Sequence, residues 1–275
     1  MSATYLQIKR YRTMKNFFQH KFLSIVTSAI ILLSLGTGCN KNCNHATVNL
    51  NITLAWEGVP VSIGDTVSYS TEMPLRLEKF RCYINDISLR NLDGVWLSSE
   101  SIDLIEFIPS SDIASGKFEA EWLKQNNEFD AIRFGLGVYP EINSIDNAPS
   151  TFPNASPFSV SGSAGMYWTW ETGYIFSKYE GKIAQAQGED FTIPFAFHTG
   201  TDELYREVVL EFSGVQSVCK DEIRDFNIEL DLSKAISGTE DNIDLVEDGI
   251  THTLDNMELA ERFVNLFDDA WSISQ

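Results

Sequence analysis

The residues best equipped for chemistry crowd into Gly165-Met166-Tyr167-Trp168-Thr169-Trp170-Glu171-Thr172-Gly173-Tyr174. On a strand, Met166, Trp168 and Trp170 share one face and Tyr167 and Thr169 the other. That face is electron-rich and oxidisable, and with imidazole beside it would suit a soft metal ion; the same side chains can equally close one end of a hydrophobic core. Histidine is scarce. Of the four in the chain, His20 lies in the leader, which leaves His45, His198 at the end of the apolar run Phe195-Ala196-Phe197, and His252 in Thr251-His252-Thr253. Two isolated histidines do not define a metal site by spacing, because such ligands meet only through the fold. Taken singly, each also reads as a polar residue at the end of an element.

Other chemistries leave no trace. The chain has no Gly-x-Ser-x-Gly, phosphate loop, dinucleotide fingerprint, His-Glu-x-x-His or Cys-x-x-Cys, so a binding protein rather than an enzyme is expected. A carboxylate pair such as Glu171 and Glu180 could be matched to glycoside chemistry, but nothing marks it among 39 acids. Five of the 20 basic residues and none of the acids fall in the first 38 positions, so the remainder carries 39 acids against 15 bases, a net of −24. A surface so acidic repels phosphate backbones and anionic lipid, which excludes nucleic acid as a partner. With 43% apolar and 12% aromatic residues the chain can bury a core.

The N-terminus reads as an address. A basic stretch from Lys15 to Lys21 precedes residues 22–35, which carry no charge and are too few to span ~30 Å of hydrocarbon comfortably. Met14, followed by Lys-Asn, looks like the translation start. The run ends in Leu35-Gly36-Thr37-Gly38-Cys39, which resembles a bacterial lipobox, so Cys39 is expected to carry the lipid that ties the protein to a membrane of the cell envelope, facing the periplasm or the outside. Plain secretory cleavage nearby is the alternative. Residues 1–38 then form the signal peptide, 39–46 a tether, and 47–275 one domain. Export implies an oxidising compartment. Cys43 lies in the tether, whereas Cys82 and Cys219 lie in patterned segments, so a Cys82–Cys219 disulfide is favoured over two unpaired thiols.

The elements that must position these residues are mostly strands. Val48, Leu50, Ile52, Leu54 and Trp56 alternate with Asn49, Asn51, Thr53 and Ala55, the period of a half-buried strand. Further strands are expected at 75–89, 101–107, 129–138, 173–184, 191–198, 206–212 and 226–232. Gly, Asn, Asp and Pro turns between them argue for an all-β fold, an antiparallel β-sandwich with long loops. Residues 142–162, rich in Pro, Ser and Asn, form a long loop of the kind that carries function. Met257, Leu259, Ala260, Phe263, Val264, Leu266 and Phe267 recur with helical spacing behind an acidic start, which predicts one C-terminal helix over 255–270.

Taken together, the Met166–Trp170 and Glu171–Tyr174 motif, Phe197-His198-Thr199-Gly200, His252 ahead of a helix with Asn265 and Phe267, and Leu77-Glu78-Lys79-Phe80-Arg81-Cys82-Tyr83-Ile84 resemble the MbnP family of exported copper-associated proteins, related to the copper-binding proteins MopE and CorA. The resemblance covers about residues 46–270. It implies a β-rich fold, copper as the bound metal outside the cytoplasm, and a diheme peroxidase partner that oxidises a tryptophan to kynurenine. By motif position Trp168 is the first candidate for that modification and Trp170 the second; His198 and His252 are the imidazole ligands. Trp170 stands where the copper binders of the family carry a histidine, and Met166 is the soft donor that can take its place. A cell-envelope adhesion or glycan-binding lipoprotein without metal is the competing reading. It requires solvent-exposed Trp168 and Trp170, with His198 and His252 remote from them; a purely structural envelope protein would bury Met166, Trp168, His198 and His252 in its core.

The lipobox is tested directly. Cys39→Ser should release a soluble or unprocessed form from membranes, as read by fractionation and immunoblot; normal processing with unchanged membrane attachment would refute lipidation at this residue.

Overall fold

The computed structural model describes residues 45–107, 109, 113–121, 128–163, 165–168, 173–218 and 223–274. The signal segment, Cys39, Trp170 and Cys219 lie outside them. From Asn44 onward the chain forms one compact unit. Its elements are β1 (His45–Trp56), β2 (Val59–Pro60), β3 (Thr66–Ser68), β4 (Pro74–Asn91), β5 (Trp96–Ser98), β6 (Ile102–Phe107), β7 (Ile113–Glu121), β8 (Glu128–Leu136), β9 (Tyr167–Trp168), β10 (Gly173–Ile183), β11 (Ile193–Gly200), β12 (Arg206–Ser217), β13 (Ile223–Asp231), β14 (Ile250–Thr251), α1 (Met257–Asp268) and β15 (Trp271–Ile273). Each strand expected from sequence is present. The short strands β2, β3, β5, β9, β14 and β15, and β7, carried too little alternation to be read in advance. β1 starts at His45, paired with Glu121, so the ordered strand reaches slightly into the segment assigned to the tether.

Two sheets face each other. The smaller runs β15-β13-β1-β2, with β7 on the free side of β1; the larger runs β12-β8-β4-β10-β11-β14, with β3, β5 and β6 on β4 and β9 on β10. The all-β sandwich is as expected, but the sheets are mixed rather than antiparallel. β1 lies parallel to β13 from Thr47↔Ile223 to Ala55↔Asp231, and β14 lies parallel to β11. Turn residues enforce an antiparallel return only between strands joined by a hairpin. β1 and β13 are joined through most of the larger sheet, so no turn dictates their relative direction.

The alternation in β1 buries Val48, Leu50, Ile52 and Leu54 against the inner face of the larger sheet at Leu75, Leu77, Phe80 and Phe197. α1 completes this core. Asn256 caps it by accepting the Leu259 N–H at 3.2 Å, and its apolar stripe buries Leu259, Ala260, Phe263, Val264, Leu266 and Phe267. Phe263 stacks on Phe197 of β11 with ring centroids 4.7 Å apart and planes 7° off parallel. The helix therefore fixes the strand that carries His198.

A second cluster occupies the opposite face of the larger sheet: Tyr83, Val138, Phe158, Met166, Trp168, Tyr174, Ile175 and Phe176. β10 bulges here between Ile175 and Ser177, and the successive residues Tyr174, Ile175 and Phe176 all belong to this cluster. The loop over 142–162 is the lid of this cluster. The Tyr83 hydroxyl donates to the Pro157 carbonyl at 3.0 Å, the Tyr174 hydroxyl to those of Phe158 (2.9 Å) and Asn147 (3.1 Å), and Asn143 accepts the Tyr174 N–H at 2.9 Å. A polar loop thus stays ordered through hydrogen bonds to buried tyrosines together with Phe158, which stacks on Tyr83 with ring centroids 5.2 Å apart.

The expected Cys82–Cys219 bridge involves Cys219, which lies outside the described residues. Cys82 is a free thiol, buried between the sheets, and burial pushes its pKa far up.

Phe263 joins the helix to the sheet, so Phe263→Ala should lower stability by roughly 3–5 kcal/mol, measured as a shifted urea midpoint. A loss below ~1 kcal/mol would mean that the helix is not seated as described.

Candidate metal centre

His198 and His252 come from segments 54 positions apart and meet because β14 pairs with β11 in parallel: Ala196↔Ile250 and Phe197↔Thr251 place the two histidines next in line. Their rings touch, with centroids 4.9 Å apart and planes at 83°. The contact is pinned by Thr253. Its buried hydroxyl accepts the Gly200 N–H at 3.1 Å and donates to the His198 carbonyl at 2.9 Å, so one side chain binds the 251–256 turn to the edge of β11. Thr253 holds φ at +71°, a left-handed conformation that costs a β-branched residue on the order of 1–3 kcal/mol. The turn is held in turn by Thr251, whose hydroxyl accepts the Thr253 N–H and donates to the Asn256 carbonyl, and by Asp255, which accepts the His252 N–H at 2.7 Å.

Each imidazole has one nitrogen occupied by a carboxylate. His198 Nε2 lies 2.8 Å from Glu180 Oε1, and His252 Nδ1 lies 3.1 Å from Asp255 Oδ2. A carboxylate only accepts, so in the neutral rings the protons sit on Nε2 of His198 and Nδ1 of His252. The lone pairs are then at Nδ1 of His198 and Nε2 of His252. Carboxylate-oriented imidazole is the usual support of a metal ligand. Burial lowers the pKa of His198 and outweighs the Glu180 carboxylate that raises it. Glu180 is held down to about 2, first by its hydrogen bond from His198 and then, against the opposing effect of burial, by the Lys79 ammonium at 3.0 Å. Asp255 also ends below its ordinary value: burial pulls it up, and the backbone N–H and ring of His252 more than offset that. The pair is therefore a carboxylate-oriented donor set in which His198 is held as the free base, and it fits copper in either common oxidation state.

Trp168 reaches the same face. A Cβ on Gly200 would stand 2.6 Å from Cζ3 of the Trp168 ring and 2.6 Å from the Tyr174 carbonyl. The indole therefore lies over Gly200, two residues along β11 and on the same side as His198. Glycine is required there by this close approach. Trp168 is only 3% exposed and Met166 is fully buried among Tyr83, Phe158 and Tyr174. The structure thus brings His198, His252 and Trp168 together, puts Met166 in the adjoining aromatic cluster, and leaves Trp170 outside the described residues. Among the described residues no three His, Cys, Asp or Glu side chains converge as a metal cluster.

Sequence reasoning named Glu180 only as one carboxylate among many and passed over Lys178, Thr253 and Asp255 as site residues. Strand parity was the available signal for the first two: Lys178, Glu180 and Lys182 alternate with Tyr179, Gly181 and Ile183 and so share the outward face of β10. Cross-strand pairing then sets Lys178 opposite both His198 and Arg81, and Glu180 opposite Lys79. Burial lowers the pKa of the Lys178 ammonium, and Lys79 and Arg81 nearby act in the same direction against Glu180.

Because one hydroxyl serves both strands, Thr253→Val should cost about 1–3 kcal/mol by leaving the Gly200 N–H unpaired. It should also remove the His198–His252 ring contact, seen by NMR as loss of nuclear Overhauser effects between the rings. Retained ring contacts in the variant would show that β-pairing alone holds the site.

Against known proteins, the MbnP family model matches residues 45–257, from the first residue of β1 to the first residue of α1. Among solved structures the chain is similar to MbnP from Methylosinus trichosporium, at 15% sequence identity and a TM-score of 0.47, covering 70% of this chain and 77% of that one. No curated protein matches. The family match takes in the β-strands of both sheets up to β14, together with the 142–162 loop, the Trp168 segment and both histidines, and on that extent the chain belongs to the MbnP family.

Proposed function

We propose that this protein is an exported, lipid-anchored copper-binding protein that serves copper acquisition or homeostasis in the bacterial cell envelope. The observation that carries the proposal is the ring contact between His198 and His252 with Glu180 and Asp255 behind them. Membership of a family associated with copper supports it. Copper bound here would be cargo or a redox centre; the chain's own part is to present two imidazoles, hold their orientation through Glu180 and Asp255 and keep one of them largely dry.

In the finer reading Cys39 is the membrane anchor, and a diheme peroxidase is the partner that converts Trp168 to kynurenine. The ketone and aryl amine of kynurenine would add donor atoms that indole lacks, beside Gly200 and hence beside His198. Met166, on the same face of its segment as Trp168, is a further soft donor, and Trp170 is the second candidate for oxidation. The protein acts by binding, not by catalysis. The adhesion reading fares worse, because it needs an exposed Trp168 and separated histidines, whereas Trp168 is buried and the imidazoles touch.

Copper retention after dialysis against a competing chelator tests the proposal. His198→Ala and His252→Ala should each lose copper, His45→Ala on the other sheet should not, and Glu180→Gln should weaken binding by about 10–100-fold through the orienting hydrogen bond. Protons compete for Nδ1 of His198 only as the pH falls through its lowered pKa, so its share of binding should persist below the ordinary histidine value of 6.5 and be lost in more acidic buffer. Full retention in both histidine variants would sink the assignment. Intact-mass analysis of native exported protein reads the tryptophan modification.

A further inference from the structure

The face that carries the histidines is populated by charges that are matched with one exception. On β4 and β10, Arg81 pairs with Glu106, and Lys79 with Glu180 at 3.0 Å. Glu180 spends its other oxygen on His198, and Asp255 is spent on the ring and backbone N–H of His252. Lys178 stands directly across from His198 in the β10–β11 register and has no hydrogen bond or ion pair to another described residue. Its neighbour in the β4 register is a second cation, Arg81. An ammonium ion half-withdrawn from water, with no ion pair to a described residue and only the already bonded Glu180 acting on it, is unexpected in a chain with 39 acids against 20 bases.

Lys178 also conflicts with the proposed cargo. A copper ion at His198 and His252 adds positive charge beside an ammonium whose nearby carboxylate, Glu180, is already bonded to Lys79 and His198. Two imidazoles leave coordination positions open, and among the described residues no third His, Cys, Asp or Glu converges to fill them. One ligand resolves both problems: an anion can donate a lone pair to the metal and accept a hydrogen bond from the ammonium. We infer that Lys178 is the anchor of an anion site beside the histidine pair, and that the centre takes its metal together with a small anionic co-ligand of the carboxylate type. The inference rests on the copper reading given above. It assigns Lys178 a role in binding the co-ligand, with no role in retaining the metal itself.

Azide is a suitable probe, because it is a small anion whose binding to Cu(II) gives a charge-transfer absorption band. Copper-loaded parent protein, Lys178→Met and Lys178→Arg are titrated with azide, and formate is then added as a competitor. Parent and Lys178→Arg should bind azide and release it to formate. Lys178→Met should keep its copper while its azide affinity falls roughly ten- to a hundredfold, the loss expected for one hydrogen bond to a charged group. Lys178→Met binding azide as tightly as the parent, or azide that formate fails to displace, would overturn the anion site alone. Absence of copper from the parent would overturn the copper reading and this inference with it.

Discussion

The hydroxyl of Thr253 is the contact on which the candidate site depends. It joins the His198 carbonyl to the Gly200 N–H through a residue of the turn that carries His252, so the two imidazoles meet only while this hydrogen-bonded bridge is intact. The backbone strain at its positive φ is offset locally, by Thr251 and Asp255 inside the turn and by α1 immediately after it. α1 also holds β11 from the core side, through the stack of Phe263 on Phe197. The same short stretch of chain therefore positions one histidine from below the strand and the other from its edge.

The larger sheet has two outward regions, and the site sits on the border between them. One is apolar and is covered by the 142–162 loop, with Tyr83, Met166, Trp168 and Tyr174 beneath it. The other is polar and carries Lys79, Arg81, Lys178, Glu180 and His198. Gly200 marks the boundary, because the indole of Trp168 lies where a side chain would be. An aromatic ring held dry beside carboxylate-supported imidazoles brings the oxidisable and the metal-binding groups into one place without exposing the ring to solvent. Burial acts on both parts: it shields Trp168, and it lowers the pKa of His198 so that its ring is the free base.

What could be read without coordinates follows how locally each signal is encoded. Period-two alternation depends only on which face of a strand meets the core, so β1, β4, β10 and β13 and the helix were all legible. The free, buried state of Cys82 was not, because whether a thiol meets a partner depends on where remote segments lie. Strand direction was hidden for the same reason: the parallel β1–β13 and β11–β14 pairs are closed by connections too long for a turn residue to dictate them.

The sequence by itself determined an acidic, β-rich chain behind an export-like leader, and it marked His198, His252 and the Met166–Trp170 segment as residues with chemistry to offer. Composition and periodicity suffice for that, since each is a property of neighbours along the chain. Only the tertiary structure decided that the histidines touch, that Glu180 and Asp255 orient them, that Trp168 is buried over Gly200 and that Lys178 has no ion pair with a described residue. These depend on the register of β11 against β10 and β14, which the packing of α1 and the Thr253 bridge select, and a register is a property of the whole fold.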